Sequence, residues 1–239
     1  GERATREIAR RLSAGEAIGA LTDIPGTAYA AKSPDCRFES VTVPSFEAVV
    51  SDKRDYALAT KIEYEEHDPI RGRAILQRHG DRTLVVNPPA MPLCREELDA
   101  VAELPYAREV HPMYDSRGGV AAIEEVRFSV THNRGCFGGC NFCSLAFHQG
   151  RMITSRSHES VVREVEGFTR DPKFKGYVHD VGGPSANFRH PSCQQQKKNG
   201  LCKNRSCLAP TPCKNLDPSH ADYLALLRKV RAVPGVKKV

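Results

Sequence analysis

Cys136, Cys140 and Cys143 fall within eight positions of the stretch THNRGCFGGCNFCSLAFHQGR, residues 131–151. Thiolates bind soft metals, and a site needs three or four ligands. A tetrahedral zinc site usually draws on pairs of short Cys-x-x-Cys knuckles. The spacing here is C-x3-C-x2-C, with no fourth cysteine nearby. A cubane iron–sulfur cluster on three thiolates leaves one iron open to a substrate or cofactor. Gly135, Gly138 and Gly139 let a loop wrap such a cluster with backbone N–H groups facing sulfur. Phe137, Phe142 and Phe147 are spaced to shield it from water. His132 and His148 flank the loop and read first as hydrogen-bonding residues, with tuning of a cluster as the alternative. Arg151 and Arg156 follow it; they offset thiolate charge or bind a carboxylate, or else stand solvated at a helix entrance.

The elements that must position this loop follow from periodicity. RATREIARRLSAGEAI spaces Ile8, Ala9 and Leu12 like one helix face, with Gly15 as a stop. SDKRDYALATKIEYEEH reads as a second helix running to His67. AILQRHGDRTLVVNPPA is a hairpin turning at His79-Gly80-Asp81 and closed by Pro88-Pro89. REELDAVAEL is a short helix, and a glycine-rich hinge near Gly118 precedes a strand from Val126 to Thr131. After the cysteine loop, SHESVVREVEGFTRD is an amphipathic helix capped by Ser157, with Val161, Val162 and Val165 facing inward. FKGYVHDVGGP is a strand ending in a glycine turn, SHADYLALLRKVRAV a helix, and GVKKV the start of another strand. Alternating strands and helices imply parallel βαβ units, which place function at the carboxyl ends of the strands. The cysteine loop and GGP then share one rim.

The chain has 239 residues, about 40% of them apolar, which suits a packed globule of one large or two modest domains. No apolar run approaches the ~18–20 residues that span a membrane. The charged start GERATREIARRL shows no signal peptide, and the expected compartment is cytoplasmic. There, nine cysteines point to ligands or reactive thiols rather than disulfides. The net charge of +6 permits anionic partners without requiring them.

CFGGCNFC resembles the signature loop of the radical S-adenosylmethionine superfamily, C-x3-C-x-aromatic-C, with Phe142 in the aromatic place. The resemblance implies that Cys136, Cys140 and Cys143 hold a 4Fe–4S cluster whose open iron is chelated by S-adenosylmethionine. It further implies one-electron cleavage of that cofactor to a 5′-deoxyadenosyl radical, with a reductant such as flavodoxin or ferredoxin as partner. DVGGP, Asp180 to Pro184, resembles the superfamily's glycine motif. That likeness makes Gly182, Gly183 and Pro184 cofactor-binding, the two glycines receiving the amino group. RGCFGGCNFCSLAFHQGRMITSRS, DVGGPSANFR and CKNRSCLAPTPCKNL together resemble the YgiQ-type radical SAM proteins, a bacterial family without an assigned reaction. This implies an α/β architecture: a partial (βα) radical SAM barrel over 118–239, preceded over 1–117 by a small α+β segment of a Rossmann-like, cobalamin-binding-type domain and its linker. The expected protein is then a fragment of a longer radical SAM enzyme, inactive by itself and of unknown substrate.

A polar cysteine-rich insert spans 190–215, where Cys193, Cys202, Cys207 and Cys213 are separated by eight, four and five residues. Four thiols in a segment without a core can fold around zinc or a second cluster, or stand as reduced thiols. Cys36 and Cys94 are isolated and read as small packing or surface residues. Two other functions fit the same residues. One is a non-catalytic iron–sulfur or zinc module. The other is an RNA-modifying enzyme, because GRMITSRS also resembles the stretch after the cysteines of radical methylthiotransferases. The basic run RHPSCQQQKKNGLCKNR lacks interleaved aromatics and points only weakly to nucleic acid.

Overall fold

Helix α1 (Glu2–Ser13) carries Glu2 in its first turn and Arg10 and Arg11 in its last, the order a helix dipole favours. Gly15 ends it as expected, in the left-handed region at φ +88°, with its N–H on Leu12 O at 3.0 Å. The buried face differs from the one the sequence suggests. Ala4 and Ile8 pack on Leu21 and Ile24, while Ala9 and Leu12 are exposed, so the stripe lies one turn earlier.

The computed structural model describes residues 1–184 and 187–239. They form two compact units, one of Gly1–Pro92 with Gln194–Ser206, the other of Leu93–Cys193 with Cys207–Val239. The packing boundary therefore falls at Pro92, earlier than the Gly118 hinge. In the first unit, β1 (Ala28–Ala31) and β2 (Ser40–Thr42) precede α2 (Phe46–Ser51), α3 (Lys53–Glu66), β3 (Ala74–His79) and β4 (Arg82–Val86). The sheet order is β1-β4-β3-β2, antiparallel except for β2 beside β3. Gly80 at φ +56° turns the expected β3–β4 hairpin. Asp52 caps α3 by accepting from Arg54 N at 2.7 Å, and α3 stops at His67 as its sequence indicates.

The second unit begins with α4 (Arg95–Ala102) and α5 (Ile123–Val126). Val126 ends a helical turn instead of opening a strand. Arg127, its side chain buried, follows in helical geometry and bonds Arg108 O at 2.9 Å while pairing with Glu109 and Glu124, which delays the strand. Strand β5 (Ser129–Thr131) leads to β6 (Asn133–Arg134), α6 (Leu145–Gln149), β7 (Thr154–Ser155), α7 (His158–Phe168) and β8 (Asp180–Gly182). Ser157 caps α7, accepting from Ser160 N at 3.0 Å.

β5 and β8 run parallel, Thr131 opposite Gly182. Beyond α8 (Gln194–Asn199) and α9 (Ala221–Arg231), Lys238 makes one isolated parallel bridge with Tyr177, in the stretch expected to start a third strand. Val130 and Val181 face the helices and join Val161, Val165, Phe168, Leu226 and Val230 in the core. Each such side chain contributes about 1.5–3 kcal/mol by leaving water. The opposite face carries Ser129, Thr131 and Asp180, as strand alternation requires. This is the strand–helix–strand unit expected after Val126.

Within the first unit, the segment 194–206 is held by buried carboxylates. Leu201 N–H donates to Asp68 at 2.8 Å and Lys203 Nζ to Glu66 at 2.8 Å. Arg73 binds Glu66 as well, at 2.7 Å. Burial opposes ionisation of Glu66, but these two cations outweigh it and hold its pKa down at about 2. Among the described residues no helix is long and apolar enough to cross a membrane.

Candidate functional site

The three cysteines lie in a loop closed by a short antiparallel ribbon. Asn133 pairs with Ser155 and Arg134 with Thr154, so β6 and β7 form the stem of the loop 135–153. Gly135 opens the loop at φ +89°, and a Cβ there would land on the carbonyl oxygen of Met152. Cys136 N–H then donates to Gly150 O at 2.9 Å, which closes the loop from within. Cys143 N–H bonds Cys140 O at 3.1 Å and starts the turn into α6.

Gly138 sits between two sulfurs. Its N–H donates to Cys136 Sγ at 3.4 Å, and an added Cβ would stand 3.3 Å from that sulfur and 3.7 Å from Cys140 Sγ. The absence of a side chain there keeps space between the thiols, and an N–H facing sulfur is the part the sequence assigned to this glycine. All three cysteines are free thiols, Cys140 exposed and the other two half-buried. The loop thus offers a set of soft donors with an N–H aimed at sulfur, a chemistry that fits an iron–sulfur cluster. Among the described residues no three His, Cys, Asp or Glu side chains, the three loop thiols included, are gathered closely enough to hold a metal ion. The shielding expected of three phenylalanines reduces to one. Phe137 is buried against Ile153 and Phe188, whereas Phe142 is 93% exposed and Phe147 is exposed. Phe188, from beyond the glycine motif, supplies a tilted ring partner for Phe137 at 4.6 Å.

Gly182 and Gly183 stand at the carboxyl end of β8, directly beside the stem. His132 N–H donates to Gly182 O at 2.8 Å. A Cβ on Gly183 would overlap Asn133 Oδ1, and one on Gly182 would overlap the Asp180 carboxylate. Gly183 therefore demands glycine, for close approach to the buried Asn133 rather than for an unusual φ, whereas the exposed Asp180 side chain can yield at Gly182. Pro184 is buried; Ser185 and Ala186 of the same stretch lie outside the described residues. The cysteine loop and GGP do share one rim, as the parallel order implied.

Arg156 has a different role from either one expected of it. It is buried and donates to Thr131 O at 3.1 Å, to Ser160 Oγ at 2.9 Å and to Glu164, which also pairs with Arg108. Its charge is spent inside the unit. Arg151 is buried too, and His148 is exposed at the end of α6.

His132 is fully buried. Its Nδ1 lies 3.1 Å from Nη1 of Arg189, and a guanidinium only donates, so Nδ1 accepts and the ring proton sits on Nε2. That Nε2 has no hydrogen-bond partner among the described residues. Burial first, and the Arg189 charge second, push the His132 pKa down to about 3. In an unfolded chain this histidine takes up a proton near pH 6.5, so the unfolded state binds more protons between pH 6.5 and 3. Stability is therefore retained above pH 6.5 and lost as pH falls through that window, by on the order of 4–5 kcal/mol in full. Urea midpoints measured from pH 7 to 4 should fall less steeply for His132→Gln than for the wild type. Parallel slopes would show that His132 does not carry the effect.

The sequence did not single out Arg189 or Asp222. Arg189 Nε binds Asp222 Oδ2 at 2.7 Å, and His158 Nε2 donates to Asp222 Oδ1 at 2.9 Å. Burial alone would raise the Asp222 pKa, but these two partners lower it. The available signal was an acidic residue in the first turn of a helix, which ordinarily reads as a dipole partner.

The four insert cysteines are not brought together as a metal site among the described residues. Cys202 packs in the first unit, on the segment that Asp68 and Glu66 hold, while Cys193, Cys207 and Cys213 belong to the second. Cys207 instead lies against the Phe137–Ile153–Phe188 cluster and near Ser192 Oγ at 3.3 Å.

A strand–helix–strand unit with a three-cysteine loop on its rim is the pattern of the radical SAM superfamily, and the comparisons agree with that class. The sequence profile described as Radical SAM N-terminal matches residues 1–129, and the chain belongs to that family. The match ends at Ser129, before the cysteine loop. The chain is 51% identical over 234 residues to a UPF0313 protein of Clostridium perfringens, covering 98% of this chain and 35% of the relative. To a UPF0313 protein of Clostridium botulinum it is 49% identical over 239 residues, covering 100% of this chain and 37% of the relative. The chain thus spans about a third of the length of these curated relatives.

Proposed function

We propose that this chain carries the cluster-binding part of a radical SAM enzyme of the YgiQ type, within a longer protein. Cys136, Cys140 and Cys143 would hold a 4Fe–4S cluster, and the backbone at Gly182 and Gly183 would receive the amino group of S-adenosylmethionine. The observation that carries the reading is the packing of Gly183 against Asn133, which sets the glycine motif beside the stem of the cysteine loop. When bound, the cluster supplies one-electron reductive cleavage of S-adenosylmethionine to a 5′-deoxyadenosyl radical. The chain's own residues perform the remaining work. Gly138 keeps side-chain bulk from between two thiols and donates to one of them. Phe137, buried with Phe188, keeps water from one side of the loop. The polar face of β5 and β8, with α7 and α9 on the other face, supports reading residues 118–239 as the first part of a (βα) barrel. Residues 1–117 are read as the end of the preceding domain and its linker. Flavodoxin or ferredoxin is the proposed class of electron donor, and the cytoplasm the proposed compartment.

The test is anaerobic reconstitution of the longer protein with iron and sulfide, followed by metal analysis and absorbance at the sulfur-to-iron charge-transfer band. The expected result is about four irons bound through this loop. One zinc and no iron would overturn the reading in favour of a structural zinc module.

A further inference from the structure

The geometry points to Arg189 as the positioning residue that locks the cysteine loop and the glycine motif into one fixed relation. This rests on the cofactor reading above and extends it to a residue outside both motifs. The Arg189 side chain is 1% exposed, and each nitrogen of its guanidinium has a separate task. Nε donates to Asp222 Oδ2 at 2.7 Å, on the first turn of α9. Nη1 donates to His132 Nδ1 at 3.1 Å, just before the loop stem. Nη2 donates to Arg156 O at 2.6 Å, just after the stem. Arg189 itself is the fifth residue after Pro184, so it reaches the entry and exit of the cysteine loop from the glycine-motif side.

The backbone around it repeats the pattern. Asn133 Nδ2 donates to Phe188 O at 3.0 Å, and Ser155 Oγ donates to Arg189 O at 2.8 Å. These are the paired residues of the stem. Phe188 and Arg189 are therefore laid across the ribbon, and the Arg189 side chain fastens them at both edges and to a helix. A buried charge is costly unless fully paired, and well-packed apolar groups commonly serve stability as well or better. What a guanidinium adds is a planar fork of fixed directions, which a lysine cannot reproduce. The inference is that this fork sets the distance between cluster ligands and the backbone that receives the cofactor.

The experiment uses the reconstituted longer protein. Arg189→Gln should keep about four irons yet lose about tenfold to a hundredfold in affinity for S-adenosylmethionine. Affinity is read from the change that the cofactor produces in the electron paramagnetic resonance spectrum of the reduced cluster. Arg189→Lys should not restore it. Asp222→Asn removes one anchor only and should give a smaller loss in the same direction. In the metal-free protein, amide hydrogen exchange over 180–189 should quicken in Arg189→Gln while the β3–β4 hairpin is unchanged. Wild-type affinity in iron-loaded Arg189→Gln overturns the inference; if that variant does not fold, wild-type affinity in Asp222→Asn does so. If the wild type binds no cluster, the cofactor reading fails by itself, and unchanged exchange over 180–189 then overturns the placement of Arg189 separately.

Discussion

Gly135→Ala should open the cysteine loop and strip the protein of most of its iron. Two costs add at this position. The left-handed φ of +89° strains any residue with a Cβ, by about 1–2 kcal/mol. The new methyl would also overlap the carbonyl oxygen of Met152, and relieving that overlap by shifting backbone costs about 1–3 kcal/mol more. Gly150 separates the two effects. It has φ +85° in the same loop, but nothing lies within 4 Å of its added Cβ. Gly150→Ala should therefore lose only the strain, while Gly135→Ala loses both and parts the stem strands. Denaturant midpoints and iron content after reconstitution read the difference. Equal behaviour of the two variants would mean that the Met152 contact does not shape the loop.

Cys140→Ala should have the larger effect on metal. With one thiol gone, two thiolates remain, too few to hold a cubane, and iron should fall from about four per chain to nearly none. Cys140 is the exposed thiol of the three, so its removal leaves no cavity in the core. Little of the loss can then be assigned to misfolding, and the melting transition should be nearly that of the wild type. The same substitution at Cys207, which packs against the Phe137 cluster and is outside the C-x3-C-x2-C motif, should spare iron. Unchanged iron in Cys140→Ala would remove the loop from the account.

Local signals carried most of what the sequence revealed. Ser157 before a Val-x-x-x-Val helix, the Gly80-Asp81 turn and the Gly182-Gly183 pair each act over a few residues, and each stands where its pattern implied. The strand start at Val126 was misjudged because the helical turn is held by Arg127 and its partners Glu109 and Glu124, contacts that hydropathy does not encode. Arg189 was illegible for a related reason. Its partners are 33 and 57 residues away, and an arginine in a polar, proline-rich stretch reads as solvated until those partners close around it. The insert divides for the same cause. Leu201 and Lys203 meet Asp68 and Glu66 across more than 130 residues, so Cys202 packs in the first unit while the other three insert cysteines belong to the second. Phe142 shows the converse. Its place in the motif is plain, but nothing local in the sequence distinguishes its 93% exposure from the burial of Phe137 against Phe188.

The most direct measurement is 5′-deoxyadenosine formation from S-adenosylmethionine by the reconstituted longer protein under dithionite, run beside Cys140→Ala and beside residues 1–239 alone. The wild-type longer protein should form the product and Cys140→Ala none. Residues 1–239 should form it slowly or not at all, because radical chemistry needs water excluded and, among the described residues, β5 pairs with β8 alone. A longer protein that holds an intact cluster yet forms no product would contradict the account.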